Sequence, residues 1–321
     1  MNRALNINRI ILAPMEGVLD YAVRQLLTEL NDFDYCVTEF IRVTHHCLTK
    51  KSLFRLCPEL QHGGKTLSGT PIRVQLLGQH PQLMAESAIQ AVKLGSFGID
   101  INCGCPAKTV VGNQGGAYLL KSPELIFQIT QHVRQALPKD VPVSVKVRLG
   151  WDDKSRCFEI ADAVEQGGAN EITIHGRTKE DGYKADRIDW HSIGLIKQKL
   201  TIPVIANGEI FSPQAAQNCI LHSQTNNIML GRGALNIPNL ANMIRYNQAQ
   251  LSWHHVFQLL QNYANTTLPE NIDKPLYHSA RIKQWLSYLK QSYPEASELL
   301  QSIRTLKTQQ AIVAGLAQFL H

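Results

Sequence analysis

From residue 9 to about residue 233, short β-branched runs alternate with longer segments of helical period. The runs are Arg9–Met15, Tyr35–Phe40, Ile72–Gly78, Gly98–Gly104, Val141–Gly150, Glu171–Arg177, Ile202–Glu209 and Asn227–Gly233. Between them, Pro81–Leu94, Pro123–Ala136, Phe158–Gln166 and Ser212–Leu221 carry the apolar spacing of helices. Eight such alternations predict a (β/α)8 TIM barrel rather than an open doubly wound sheet. An open sheet usually shows G-x-G-x-x-G after its first strand, and here that turn reads Ala13-Pro14-Met15-Glu16-Gly17. After Pro238 the texture changes. No strand-like run occurs from about residue 251 on, while Val256–Tyr263, Tyr277–Lys290, Glu295–Thr305 and, more weakly, Ala311–Leu320 read as helices. The expected organisation is a barrel over residues 1–245 and a small helical bundle over 246–321.

Composition narrows the class. A chain of 321 residues with 44% hydrophobic and 18% charged residues has ample material for a core. A net charge of +6 permits an anionic partner without requiring one. Seven scattered cysteines, an odd number with no C-x-x-C pair, argue against a disulfide framework, a zinc ribbon or an iron–sulfur cluster. The apolar stretch Ile10–Ala13 ends at Pro14, too short for a signal peptide or a membrane span. A cytoplasmic protein with no metal and no membrane attachment is expected.

Barrel enzymes place their sites at the carboxyl ends of the strands, and those ends are unusually polar here. In Val143–Leu149 a period of two puts Ser144, Lys146 and Arg148 on one face, which must point into the barrel because the apolar face packs on helices. An inward ammonium needs an anion or an electron-rich ring, which either a ligand or a carboxylate such as Glu209 supplies. The ends of strands seven and eight commonly hold a phosphate, and Asn207-Gly208-Glu209 and Gly231-Arg232-Gly233 suit one. His175 ends strand six. In Asn102-Cys103-Gly104-Cys105-Pro106 a thiol sits on a stiff loop after strand four, beside the flexible Gly112–Ala117 stretch. The local pattern leaves a reactive thiol and a small buried hydrophobe both open.

In combination and in order, these motifs resemble the tRNA-dihydrouridine synthases, flavin enzymes that reduce uridines in transfer RNA. The resemblance covers the whole chain and rests on Ala13-Pro14-Met15, Asn102-x-Gly104-Cys105-Pro106, Gly112–Ala117, Lys146-Val147-Arg148, His175-Gly176-Arg177, Asn207-Gly208 and Gly231-Arg232-Gly233. Pro14–Asp20, Asn102–Cys105 and Ala280–Leu286 look closest to the bacterial C-type branch, which acts on uridine 16 of the D-loop.

The resemblance implies FMN at the barrel mouth, held by Pro14, Met15, Glu16, Gln75, Lys146, His175, Asn207, Gly208, Glu209, Gly231 and Arg232, with NADPH as electron donor. It implies hydride transfer from flavin N5 to uracil C6 and a proton from Cys105 to C5, and it selects Cys105 over Cys103. The uracil must leave its stack to reach the mouth, where Asn102, Arg148 and Tyr183 would meet it. Residues 274–290 hold four basic and no acidic side chains, and Arg281, Trp285 and Tyr288 share one helical face. Arg281, Lys283 and Tyr288, with Arg42 and Arg304, are the expected tRNA contacts, while Trp285 is expected in the core. A monomer is expected. The rival activity is an FMN-dependent dehydrogenase of a free pyrimidine, of dihydroorotate type. The rival class is a non-catalytic RNA binder, which has no need of Lys146 or Cys105.

Overall fold

The computed structural model describes residues 7–266 and 275–319. Eight parallel strands close into one barrel, each followed by a helix. The strands are β1 (Arg9–Leu12), β2 (Tyr35–Arg42), β3 (Ile72–Leu77), β4 (Gly98–Cys103), β5 (Val143–Arg148), β6 (Glu171–His175), β7 (Val204–Asn207) and β8 (Asn227–Leu230). The wall helices are α1 (Tyr21–Leu30), α2 (Lys50–Leu56), α3 (Pro81–Lys93), α4 (Pro123–Ala136), α5 (Cys157–Gln166), α6 (Trp190–Lys197), α7 (Pro213–Ser223) and α8 (Leu240–Tyr246). All eight expected strands form, seven of them trimmed where the chain turns into loops and β2 running two residues beyond Phe40 to Arg42. The barrel shuts by β8 pairing with β1, Arg9 against Asn227 through Leu12 against Leu230.

Local chemistry starts these helices where it should. Proline opens α3, α4 and α7, where its missing N–H costs nothing. Asp20 caps α1 by accepting from the Val23 N–H at 3.0 Å, and Asp189 and Ser212 cap α6 and α7 in the same way. Outward residues such as Ile72, Val74, Ile99, Ile101, Val143 and Val145 are fully buried against the helices. The inward set is different on the two sides of the barrel. Ile11, Ala13, Tyr35, Val37, Ile205 and Met229 form a separate apolar cluster inside it, whereas β3 to β6 turn polar and charged side chains inward.

Beyond Tyr246 the described chain forms four helices, α9 (Trp253–Asn265), α10 (Pro275–Leu289), α11 (Glu295–Ile303) and α12 (Gln309–Gln318). Lys274 and Leu320 lie outside the described residues. Trp285 is 2% exposed and donates its indole N–H to the Leu235 carbonyl at 3.2 Å, which anchors α10 on the barrel as a core residue. Asp20 joins the two parts: its Oδ2 accepts the hydroxyls of Tyr277 at 3.0 Å and Tyr263 at 3.3 Å. No helix among the described residues is long and apolar enough to cross a membrane.

Candidate active site

Strand register levels the polar groups. Gln75 lies opposite Asp100, Asn102 opposite Lys146, Arg148 opposite His175, and His175 opposite Asn207. Because neighbouring parallel strands carry them at matching heights, their side chains meet around one cavity of about 730 Å³ at the carboxyl ends. All eight strands or the loops after them contribute: Pro14, Met15 and Glu16 after β1, Phe40 of β2, Gln75, Asn102 and Cys105, Lys146 and Arg148, His175, Asn207 to Glu209, and Met229, Gly231 and Arg232. From the bundle, Tyr288 of α10 reaches the same cavity, and Tyr183 stands on its rim at 56% exposure.

Lys146 decides what kind of site this is. Its ammonium donates to Asn207 Oδ1 at 2.9 Å and has no ion pair among the described residues. Glu209, the carboxylate that offered an alternative partner, pairs instead with Arg177 and, at 3.7 Å, with Arg232. Burial, with Arg148 nearby, pulls the lysine down to about 8. His175 is held well below its usual value by burial and by Arg148, Lys146, Arg177 and Arg232, so the ring is neutral at pH 7. Its Nδ1 and the Nη1 of Arg177 are buried without a hydrogen-bond partner. A cationic corner with unspent donors fits an anionic, electron-accepting ligand. The backbone beside it is open: a Cβ on Gly231 would meet nothing closer than Ala13 at 3.8 Å. Gly208 has φ +113°, and a side chain there would strike Ile188 at 2.8 Å.

The two cysteines separate cleanly. Cys103 faces outward, fully buried in the core, with its thiol pushed far up by burial. Cys105 lies past the strand, half-buried on the cavity. Burial raises its thiol and Glu16 adds to this, against smaller opposing effects from the Ala107 N–H, Arg148 and Arg42. It therefore stays protonated near neutrality. The loop grips it: the Ala117 N–H donates to the Cys105 carbonyl at 2.9 Å, and Gly116, at φ +58°, sits so close that a Cβ would lie 2.8 Å from that oxygen.

Other expected contacts have structural partners. Arg148 donates to the carbonyls of Gly104, Thr178 and Gly182 at 2.8, 2.9 and 3.0 Å, tying the Cys105 loop to the loop after β6. Asn102 turns its side chain to Gln75 and to the loop backbone. Lys283 donates to the carbonyls of Arg304 and Leu306 at 3.0 and 2.6 Å, closing the end of α11. Neither Lys283 nor Arg304 lines the cavity. Arg42 and Arg281 line an adjoining groove of about 610 Å³ that shares Glu16 and Phe40 with it. In that groove Arg281 rests on the Tyr277 ring, 4.7 Å from its centroid. Tyr183 lies between Arg148 and Arg232, at 5.2 and 4.9 Å. Asp100 escaped the sequence reading, although an acid within the apolar run Gly98–Ile101 was the available signal.

A closed parallel barrel whose mouth joins a protonated thiol, an unpaired ammonium and a donor-rich corner defines a cofactor-dependent barrel enzyme. The fold also resembles a solved 2-naphthoyl-CoA reductase, with TM-score 0.58 and 12% identity over 75% of this chain and 50% of that one. The family model described as dihydrouridine synthase matches residues 11–320, and the chain belongs to that family. It is 58% identical over 300 residues to the tRNA-dihydrouridine(16) synthase of Haemophilus influenzae, covering 94% of this chain and 96% of that protein. It is 59% identical over 304 residues to the protein of the same name from Pasteurella multocida, covering 95% and 97%.

Proposed function

We propose that this chain reduces the C5–C6 bond of a uridine in transfer RNA to 5,6-dihydrouridine, at position 16 of the D-loop, the position its relatives' names carry. FMN is the flavin, NADPH the electron donor, and the enzyme works as a cytoplasmic monomer. The observation that carries the reading is Cys105, a protonated thiol on the same cavity as an ammonium without a carboxylate partner.

Lys146, His175, Asn207, Gly208, Glu209, Gly231 and Arg232 hold the flavin, with Pro14, Met15, Glu16 and Gln75 along it. Their unspent donors and open backbone suit its phosphate and its polar edge. FMN, when bound, supplies the hydride that adds to C6 of the uracil. Cys105 gives its proton to C5, which leaves a thiolate that takes a proton back from water. Burial disfavours that thiolate overall, and Arg148, Arg42 and the Ala107 N–H partly offset this. Lys146 puts a positive charge on the cavity wall, where it stabilises an anion formed beside it.

The base enters extruded from its stack. Residues 1–245 do the chemistry and 246–321 grip the RNA, and Tyr288 brings the second part to the mouth of the first. Tyr183, Tyr288, Arg42 and Arg281 face the tRNA, Asn102 and Arg148 shape the loop under it, Lys283 braces the bundle and Arg304 offers a peripheral cation. Several phosphate contacts make the affinity fall with salt.

Mass-spectrometric mapping of dihydrouridine tests this in tRNA from cells lacking the gene, with and without its restoration. Loss at position 16 alone, recovered on restoration, is expected. Loss elsewhere overturns the position. No change, together with no product from the flavin-loaded enzyme in vitro, overturns the reaction and directs the assay to free pyrimidines.

A further inference from the structure

Cys105 is held from below by a chain of amides. Its backbone N–H and that of Gly104 donate to Asn102 Oδ1 at 2.9 and 3.1 Å. Asn102 Nδ2 donates to Gln75 Oε1 at 2.9 Å, and Gln75 Nε2 donates to Asp100 Oδ2 at 2.7 Å. The other oxygen of Asp100 accepts the Ser144 hydroxyl at 2.6 Å. All four side chains are buried, and Asp100 does not line the cavity.

The ends of this chain have fixed character. Backbone N–H groups only donate, and an ionised carboxylate only accepts. The two amides between them must then stand head to tail, each with its oxygen toward Cys105 and its nitrogen toward Asp100. Turning either one over sets donor against donor or acceptor against acceptor between buried side chains.

We propose that Asp100 is a positioning residue for the reaction: its carboxylate orders Gln75 and Asn102 so that Asn102 holds the Cys105 backbone and the thiol is aimed into the cavity. Burial lifts Asp100 to about 6, against Ser144, Gln75, Lys146 and Arg73, which favour its charge, so it is mostly ionised at neutral pH. The inference rests on Cys105 as the proton donor. It extends the active site to a residue that touches neither substrate nor flavin.

The test is a double-mutant cycle of Asn102→Asp and Asp100→Asn in the flavin-loaded full chain, read by amide hydrogen exchange at Gly104 and Cys105 and by single-turnover uridine reduction. Asn102→Asp puts a carboxylate on each side of one glutamine, whose amide nitrogen reaches only one of them. Exchange is therefore followed as the pH is raised well above the value of about 6 to which Asp100 is lifted, so that Asp100 cannot relieve the clash by taking up a proton. Exchange is expected to quicken, and reduction to slow, by about tenfold or more. Adding Asp100→Asn lets the chain run reversed: the new amide donates to Gln75, and Gln75 donates to the new carboxylate. That carboxylate still accepts from Cys105, so exchange should return most of the way. A second substitution that rescues the first is not what a packing role produces.

No recovery in the double variant, or unchanged exchange in Asn102→Asp, overturns the proposal. Recovered exchange with no dihydrouridine formed leaves the loop device standing and refutes the reaction instead. Should Asn102→Asp fail to fold, neutron diffraction of the perdeuterated wild-type holoenzyme decides. Deuterons on Gln75 Nε2 facing Asp100 and on Asn102 Nδ2 facing Gln75 support the ordering; flipped amides, or a deuteron on Asp100 facing Gln75, overturn it.

Discussion

The two halves of the barrel interior are built on opposite principles. On the side of β7, β8, β1 and β2 an apolar cluster of Ile205, Met229, Ile11, Ala13, Tyr35 and Val37 fills the interior, with the polar Arg9 and Asn207 at its two ends. On the side of β3 to β6 they are Arg73, Gln75, Asp100, Asn102, Ser144, Lys146, Arg148, Glu171, Thr173 and His175. The apolar half adds stability through burial, on the order of 25 cal/mol per Å². The polar half must satisfy each buried group. It does so for most groups at its base, where Glu171 accepts from Arg9 at 2.5 Å, from the Tyr35 hydroxyl at 2.6 Å and from Arg73, whose Nε is left without a partner. It does so less fully at its top, where Lys146 lacks a carboxylate and His175 Nδ1 lacks any partner. Arg73 Nε and Thr173 Oγ1 are likewise buried without a partner, so incomplete pairing runs through the polar half and includes the end that opens on the cavity.

Substitutions that pit one half against the other sharpen this contrast. The largest effect belongs to Cys105→Ala, which removes the proton donor and leaves both walls intact. Reduction of an unmodified tRNA should fall by about 10²–10⁴-fold while flavin and tRNA still bind; near-normal turnover would show that another group protonates C5. Lys146→Met comes next and splits stability from activity. Turnover should fall by about 100-fold, whereas the flavin-free chain should gain about 2 kcal/mol in urea unfolding at neutral pH, because a buried unpaired cation is gone.

The sign has a pH signature. A lysine depressed to about 8 when folded penalises the folded state below that pH. The penalty lifts as the pH climbs toward the ordinary lysine value of about 10.5. The stability gap between variant and wild type should therefore narrow between those values; a constant gap would assign the effect to packing.

Arg148→Lys tests whether the polar half acts by shape as much as by charge. One ammonium cannot span the carbonyls of Gly104, Thr178 and Gly182, so turnover should drop by about tenfold, with about 1–3 kcal/mol of stability lost. Calorimetry with steady-state rates separates the two losses. The smallest effect is expected in the apolar half: Ile205→Val should cost about 0.5–1.5 kcal/mol and leave turnover within about twofold, and a larger kinetic effect would mean that this wall too shapes the site.

Much of the architecture was legible because strand periodicity is local. The alternation Ser144, Lys146, Arg148 against Val143, Val145, Val147 announces which face turns inward, and the structure agrees. Strand ends were read too long where the chain leaves the sheet for reasons outside the hydrophobic pattern. The run Ile202–Glu209 shortens to Val204–Asn207 because Pro203 lacks an N–H for the ladder and Glu209 turns to φ +57°. Long cationic side chains were the least legible. Arg148 is expected at the extruded base and Lys283 at a phosphate, and the structure adds partners the sequence did not suggest, carbonyls of the chain itself. Their reach lets them find partners that no spacing rule encodes.

What the sequence alone determined, then, is the succession of strands and helices and the direction each strand side chain takes, since both follow from backbone geometry within a few residues. The tertiary structure decided which inward groups satisfy one another and which are left for a ligand. Lys146 meets Asn207 across 61 residues of chain, Arg148 meets Gly104 across 44, and Glu209 turns to Arg177 across 32. Those pairings depend on the register and closure of eight strands at once, and a hydrogen bond a few ångströms long is selected only when all of them are in place.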